Sequence, residues 1–147
     1  MTVTLFEALR EDHDTQRTLL DLLVRTEGAS EGREELFGKV KSELQSHAAA
    51  EERALYIPMM EHDATQEKAR HSVAEHHEID ELIETLEATD YSSPSWLSHA
   101  KQLQHLVTHH LDEEEHEVFQ LAGRYLEEEQ KQQLKDVYRH EMEEHRQ

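Results

Sequence analysis

Residues 44–58, LQSHAAAEERALYIP, have a counterpart 63 positions later in residues 107–121, VTHHLDEEEHEVFQL. In both stretches apolar residues recur at helical spacing around a histidine and a glutamate four residues apart. The polar pair takes positions on the apolar stripe where leucine or valine would be expected. Each stretch therefore predicts an amphipathic helix that carries two polar side chains into the core. These pairs are His47 with Glu51 and His110 with Glu114.

The offset of 63 residues extends beyond these two pairs. It relates His13 to His76, each on the apolar face of its own predicted helix. Packing residues keep the same offset: Leu20 and Ile83, Leu23 and Leu86, Val40 and Leu103, Leu44 and Val107, Leu55 and Val118, Tyr56 and Phe119. Leu9 breaks the agreement because it falls opposite Ser72. Two helical hairpins of one design are therefore expected, from an old duplication or a shared design constraint.

The composition favours helix throughout. The chain has 147 residues with only 4 glycines and 2 prolines, and it is rich in strong helix formers. We expect an all-α protein with a single domain over residues 1–147. An up-and-down antiparallel four-helix bundle is predicted over about residues 2–122, with an additional C-terminal helix at about 124–147.

Charge and cysteine content exclude several kinds of function. The absence of cysteine excludes disulfides, thiolate metal sites and cysteine nucleophiles. The net charge of −19 is spread along the chain and repels phosphate backbones and anionic lipid, so neither nucleic acid nor membrane is an expected partner. Without a leader or an apolar run of about 20 residues, a soluble cytoplasmic protein is expected.

Caps and breakers predict the first two helices. Thr2 or Thr4 is a suitable cap for a helix that runs to about Thr26 and ends at Gly28. A second helix is predicted over about residues 31–62, with Pro58 causing a kink or an early end.

The remaining boundaries follow from the same signals. Residues 63–65 are interpreted as the turn into a third helix that ends near Thr89. Ser95 is the predicted cap of a fourth helix, which reaches about Ala122 and is interrupted at Gly123. In the fifth helix, the residues expected to lie against the bundle are Leu126, Leu134, Val137 and Tyr138.

Burial separates the six repeated residues from the other polar ones. The pattern His-x-x-x-Glu also occurs at 71/75, 77/81, 109/113 and 140/144, and nine of the thirteen histidines lie outside the repeated set. Those nine are expected on solvated faces, although a register error of one residue would exchange His77 or His109 with a ligand. A buried unpaired carboxylate commonly costs several kcal/mol or has a strongly raised pKa. Glu51 and Glu114 in one core therefore require a cation.

The donor set predicts a two-metal centre. Imidazole and carboxylate ligands without thiolate suit iron, manganese or zinc. Positions remain for an oxo or hydroxo bridge and for an exogenous ligand, and an open coordination position is reactive. Helix adjacency gives this assignment: His13 and His47 on one ion, His76 and His110 on the other, Glu51 and Glu114 bridging.

Several sequence motifs follow one another along the chain. They are Glu11-Asp12-His13, His47-Ala-Ala-Ala-Glu51-Glu52 before Leu55-Tyr56-Ile57-Pro58, Glu75-His76 before Ile79, and His110-Leu-Asp-Glu-Glu114-Glu115 before Val118-Phe119. In these motifs and their order, the chain resembles the hemerythrin-like, or HHE cation-binding, family over about residues 5–121. The resemblance implies an up-and-down four-helix bundle around a non-haem di-iron centre, and it selects two iron ions where the ligand chemistry leaves the metal open.

One position departs from the oxygen-carrying hemerythrins. They have a second histidine one turn before the third-helix ligand, whereas the residue four before His76 is Ser72. His71 is five residues away and points elsewhere on the helix, and Asp80 would be only a weak substitute. The lost ligand opens coordination, which favours reaction with O2, peroxide or nitric oxide over reversible oxygen carriage.

These observations support one leading function and three alternatives. The leading hypothesis is a di-iron protein that binds or reduces small oxygen or nitrogen species, with a peroxide- or nitric-oxide-reactive oxidoreductase as its enzymatic form. An oxygen- or iron-sensing binding module is a second class, which the expectation of a single domain without an effector domain disfavours. The charge of −19 and the histidine excess suggest metal storage or buffering. A purely structural bundle is the fourth reading, and no protein partner or catalytic acid or base is identified.

Overall fold

The computed structural model describes residues 4–146, and every regular element within that range is a helix. The five helices are α1 (Leu5–Leu23), α2 (residues 31–59), α3 (Asp63–Glu87), α4 (residues 94–125) and α5 (Glu128–Arg146). Two of them change pitch midway. Helix α2 joins Glu31–Glu51, a π-helical turn Glu52–Tyr56 and Ile57–Met59, and α4 joins Pro94–Glu113, a π-helical turn Glu114–Val118 and Phe119–Tyr125.

The first four helices form the predicted up-and-down antiparallel bundle. Helix α1 packs against α2 and α4, and α3 packs against α4. Helix α5 is the predicted additional helix, and it lies across α1 and α2. Its Tyr138 and Met142 are buried in their core, and the residues predicted to face the bundle do so. No helix in residues 4–146 has the length and apolar composition that a membrane span requires.

Helix α1 begins and ends at the predicted signals. Thr4 is the cap, since its hydroxyl accepts a hydrogen bond from the Glu7 backbone N–H at 3.1 Å. Thr2, the alternative cap, lies outside the described residues. The helix ends at Leu23, three residues earlier than predicted, and Gly28 follows with φ of 56°, a conformation that favours glycine.

Three predicted boundaries were wrong. Residues 63–65 are the first turn of α3 instead of a loop. Ser93, not Ser95, caps α4, because Pro94 takes the first helical position, where its missing N–H has no cost. Gly123 does not interrupt α4, which continues to Tyr125. Pro58 agrees better with expectation, because α2 ends one residue after it.

The apolar core is divided into two clusters at opposite ends of the bundle. One cluster joins the start of α1 to the ends of α2 and α4 and to α5, and includes Leu5, Leu55 and Val118. The other joins the ends of α1 and α3 to the first half of α2 and to the start and middle of α4, and includes Leu23, Val40 and Leu103. Polar side chains buried between these clusters are held in place from both ends.

Candidate metal centre

All six predicted ligands lie between the two apolar clusters. The helical register predicted from the sequence places them there, and none is more than 5% exposed. They come from all four helices of the bundle: His13 on α1, His47 and Glu51 on α2, His76 on α3, His110 and Glu114 on α4.

The Glu51 carboxylate spans the centre. Its Oε2 atom lies 3.4 Å from Nε2 of His47 and 3.9 Å from Nε2 of His13. Its Oε1 atom lies 3.2 Å from Nε2 of His76. Two ligand atoms bound to the same ion, each at about 2.1 Å from it, lie roughly 3–3.5 Å apart. The observed spacings therefore suit a metal ion between the atoms better than a direct hydrogen bond.

The Glu114 carboxylate spans the centre in the same sense. Its Oε2 atom lies 3.6 Å from Nε2 of His13, whereas its Oε1 atom contacts Nε2 of His110 and lies 3.9 Å from Nε2 of His76. The donor atoms thus form two groups that share both carboxylates. One group is His13, His47, Glu51 and Glu114, and the other is His76, His110, Glu51 and Glu114.

The inward-facing atoms fit a cation better than they fit one another. Within residues 4–146, both oxygens of Glu51 and of Glu114 are buried without a hydrogen-bond partner, and so is Nε2 of His13, His47 and His110. Buried polar atoms normally have partners, and each one that lacks a partner costs about 1–3 kcal/mol. Seven such atoms aimed at one space are what a pair of metal ions would satisfy.

Comparison with known proteins identifies the family. Residues 4–122 match the model of the hemerythrin HHE cation-binding domain. The chain belongs to this family. A crystal structure of a hemerythrin HHE cation-binding domain-containing protein from Mycobacterium kansasii is similar in fold, with a TM-score of 0.86 and 24% sequence identity over 99% of this chain and 88% of that one. No curated protein sequence matches the chain.

Without metal, two histidines of this hemerythrin domain, His13 and His76, have raised pKa values. Burial lowers the pKa of His13, but Glu115, Glu51 and Glu114 outweigh it and raise the pKa to about 9. Burial also lowers the pKa of His76, but Glu51 and Glu52 outweigh this effect and raise the pKa to about 9. The buried carboxylates favour positive charge at the site, and without metal ions the protonated histidines provide it.

In the absence of metal, ionisation of one of the two carboxylates is favoured over ionisation of both. Burial and the neighbouring Glu51 raise the pKa of Glu114. Burial also opposes ionisation of Glu51, but the charge of His47 and the close approach of Glu114 and His13 outweigh it and hold the pKa of Glu51 well below its usual range. Metal ions would remove this asymmetry by allowing both carboxylates to ionise.

Glutamates of one hairpin orient histidines of the other. Nδ1 of His13 bonds Oε2 of Glu115 at 2.8 Å, and Nδ1 of His76 bonds Oε1 of Glu52 at 3.3 Å. With Nδ1 as donor, the Nε2 atom of each ring faces the centre, where a metal ion would replace its proton. Glu52 and Glu115 are themselves 63 residues apart, so the repeat includes the residues that support the ligands.

A second pair of supports follows the repeat imperfectly. Nδ1 of His110 bonds Oε1 of Glu75 directly at 2.8 Å. The residue 63 positions before Glu75 is Asp12. Its shorter side chain is linked to His47 through the hydroxyl of Tyr138 on α5. Nδ1 of His47 bonds the Tyr138 hydroxyl at 2.6 Å, and that hydroxyl donates to Oδ2 of Asp12 at 2.5 Å. Burial and Asp12 raise the pKa of Tyr138, so the hydroxyl stays protonated.

The sequence interpretation missed Tyr56 and five supporting residues, namely Glu52, Glu115, Glu75, Asp12 and Tyr138. The four carboxylates could have been found from their offset of 63, but nothing in the sequence indicates that Tyr138 reaches the centre. Tyr56 was treated as a packing residue, and its ring does pack in the core. Its hydroxyl is buried with no hydrogen-bond partner in the described part of the chain, and burial with Glu114 and Glu51 raises its pKa well above 10.

The other histidines do not enter the centre. Each of the nine is exposed or only half-buried, as predicted, and His77 and His109 are 76% and 64% exposed at their side chains. The helical register is therefore correct. Asp80 is half-buried beside His76, outside both ligand groups, and burial raises its pKa.

Proposed function

We propose that this hemerythrin domain binds two iron ions and reacts with small oxygen or nitrogen species, namely O2, peroxide or nitric oxide. The observation that carries the proposal is the pair of donor groups sharing two buried carboxylates. The donor set admits iron, manganese or zinc, and the family resemblance favours iron. Bound iron would supply reversible redox chemistry that none of the side chains offers.

The geometry supports a role for each of the six residues. His13 and His47 would bind one ion, His76 and His110 the other, and each carboxylate would bridge because its two oxygens face different pairs of histidines. Two histidines and two bridging oxygens leave open positions on each ion.

A small cavity next to the histidines limits the size of any further ligand. It has a volume of about 10 Å³, which is room for about one water-sized molecule. Leu44, Ile79 and Val107 line it together with His47, His76 and His110. This small volume favours a ligand of a few atoms, such as a diatomic molecule or a peroxide, over an organic substrate.

Gln16 supplies a polar group to this cavity. The side chain is only 2% exposed, lines the cavity, and has an Nε2 amide with no hydrogen-bond partner among the described residues. We infer that this amide donates a hydrogen bond to the small ligand. A surface cleft of about 340 Å³ shares Ala48, His76 and Asp80 with the cavity, and it is the proposed entry route.

The test is to mix iron-loaded protein with hydrogen peroxide, and separately with nitric oxide, and to follow both reactant consumption and the near-ultraviolet spectrum. The expected result is rapid consumption of at least one reactant with a change in the ferric bands. Gln16→Leu should retain iron but weaken azide binding in a spectroscopic titration. Two tightly bound irons with no reaction toward either species would contradict the reactive form of the proposal.

A further inference from the structure

Two His-x-x-x-Glu pairs on the surface meet between α3 and α4. His71 and Glu75 lie one turn apart on α3, and His109 and Glu113 lie one turn apart on α4. Nε2 of His71 lies 3.2 Å from Oε1 of Glu113 and 3.7 Å from Oε2 of Glu75. Nε2 of His109 lies 3.5 Å from Oε2 of Glu113. The ligand atoms of His71, Glu75 and Glu113 therefore lie together across the helix interface. His109 lies beside Glu113 at the edge of this group.

Glu75 distinguishes this cluster from an ordinary surface ion pair. The residue is only 7% exposed. Its Oε1 atom accepts the hydrogen bond from Nδ1 of His110, while Oε2 is turned outward to His71. A carboxylate with so little exposure is stabilised by donors or a cation near its oxygens. One carboxylate thus serves the inner centre with one oxygen and the outer cluster with the other.

The corresponding place on the first hairpin has been filled in a different way. The residues 63 positions before His71, His109 and Glu113 are small and buried, namely Ala8, Ser46 and Ala50. Helix α5 covers that side, with Tyr138 in the same apolar cluster as Ala8 and Ala50. On the second hairpin the equivalent face is open, since the His71 and His109 side chains are 54% and 64% exposed.

We propose that His71, Glu75, His109 and Glu113 form an outer site for one divalent transition-metal ion. Imidazole nitrogen and carboxylate oxygen are ligands for Zn²⁺, Mn²⁺ and Fe²⁺. A divalent ion balances the two carboxylate charges, and the net charge of −19 raises the local cation concentration. The exposed side keeps water on the ion, so the bound metal exchanges with solvent.

Sharing of Glu75 couples the outer site to the inner centre. A cation on Oε2 withdraws electron density from the carboxylate, and Oε1 then becomes a weaker acceptor for Nδ1 of His110. Such partners of a metal ligand tune both its basicity and its orientation. Occupancy of the outer site therefore changes how strongly His110 binds the inner ion.

The test is equilibrium dialysis of iron-loaded protein against micromolar Zn²⁺, with zinc and iron per chain measured by mass spectrometry. The wild-type protein should bind one zinc that the His71→Ala and His109→Ala variants bind at least about tenfold more weakly. His77→Ala is the matched control. His77 also lies one turn from a glutamate, with Nε2 at 3.0 Å from Oε1 of Glu81. Glu81 is not part of the group formed by His71, Glu75 and Glu113, whereas the glutamate that His109 contacts, Glu113, is.

The iron content and the zinc content test the inner centre and the outer site separately. Iron content reports the inner centre, and it should be equal in His71→Ala, His109→Ala and His77→Ala. The zinc difference between the variants reports the outer site alone. Equal zinc binding by wild-type protein and the double His71→Ala/His109→Ala variant would overturn the outer site, as would an equal loss in His77→Ala.

Discussion

At the scale of single residues, the histidine rings are fixed by acceptors that do not face the centre. The Tyr138 hydroxyl accepts from Nδ1 of His47 and donates to Asp12, which joins α2, α5 and α1 through one group. Tyr138 is 1% exposed, so water does not replace the hydroxyl when it is removed. The orientation of His47 therefore depends on a side chain outside the four-helix bundle.

Tyr138→Phe should weaken metal binding by roughly tenfold while leaving the fold intact, because the ring still packs but His47 loses its acceptor. The measurement is a competition titration of the metal with a chelator of known affinity. Tyr125→Phe is the control, since Tyr125 is 44% exposed and far from the ligands in the described structure. Equal metal affinity of Tyr138→Phe and Tyr125→Phe would show that the hydroxyl does not support the site.

At the scale of helices, both π-helical turns coincide with the bridging glutamates. One turn begins directly after Glu51 and the other begins at Glu114. A π-helical turn holds one more residue than an α-helical turn and is common at functional sites. The wider turn reduces the angle between consecutive side chains, so that Glu51 and Glu52 both reach histidines of the centre. Glu114 and Glu115 do the same on α4.

Deletion of His116, which is exposed within the second π-helical turn, should convert that turn to regular α-helix. The flanking apolar residues keep their faces, so the protein should retain its helix content and a cooperative unfolding transition. The glutamates should lose their positions, and metal content should fall below half of the wild-type value. His116→Ala keeps the extra residue and should retain metal. A deletion variant that binds metal normally would contradict this account of the turn.

At the scale of the whole molecule, the stability of metal-free protein should fall as pH rises from about 6.5 through 9. The pKa of His13 and that of His76 are raised to about 9 in the folded state, against about 6.5 for an unperturbed histidine. A raised histidine pKa stabilises the fold fully below the unfolded value, and the gain is lost on passing the folded value. Metal-loaded protein has neutral histidines and should lack this fall, because metal binding displaces the protons.

Thermal melts from pH 6 to pH 10, with iron bound and after chelation, check this prediction. The loaded protein should also melt at a higher temperature throughout, because binding to the native state alone stabilises it. A melting temperature of metal-free protein that stays constant or rises between pH 6.5 and pH 9 would be inconsistent with the raised histidine pKa values.

Much of this molecule could be predicted from the sequence because two signals coincide. Helical periodicity placed His47, Glu51 and their counterparts on buried faces, and the offset of 63 residues joined them into one centre. The supporting residues were missed because each bonds a histidine on a distant helix, as Glu115 does with His13. The π-helical turns also left no signal, since they depend on tertiary packing more than on local propensity. The predicted cap of α4, Ser95, is displaced by Ser93, because Pro94 favours the first helical position.

The most direct test of the account is the iron content of purified, reconstituted protein, measured together with its ultraviolet-visible spectrum. The comparison includes Glu51→Ala, Glu114→Ala and Glu128→Ala, the last being a control at a side chain that is 88% exposed. We expect two irons per chain in wild-type protein and in Glu128→Ala, ferric bands that change on peroxide addition, and clear loss of iron in the other two variants. Absence of iron after reconstitution, or equal iron in Glu51→Ala and Glu128→Ala, would contradict the two-metal centre.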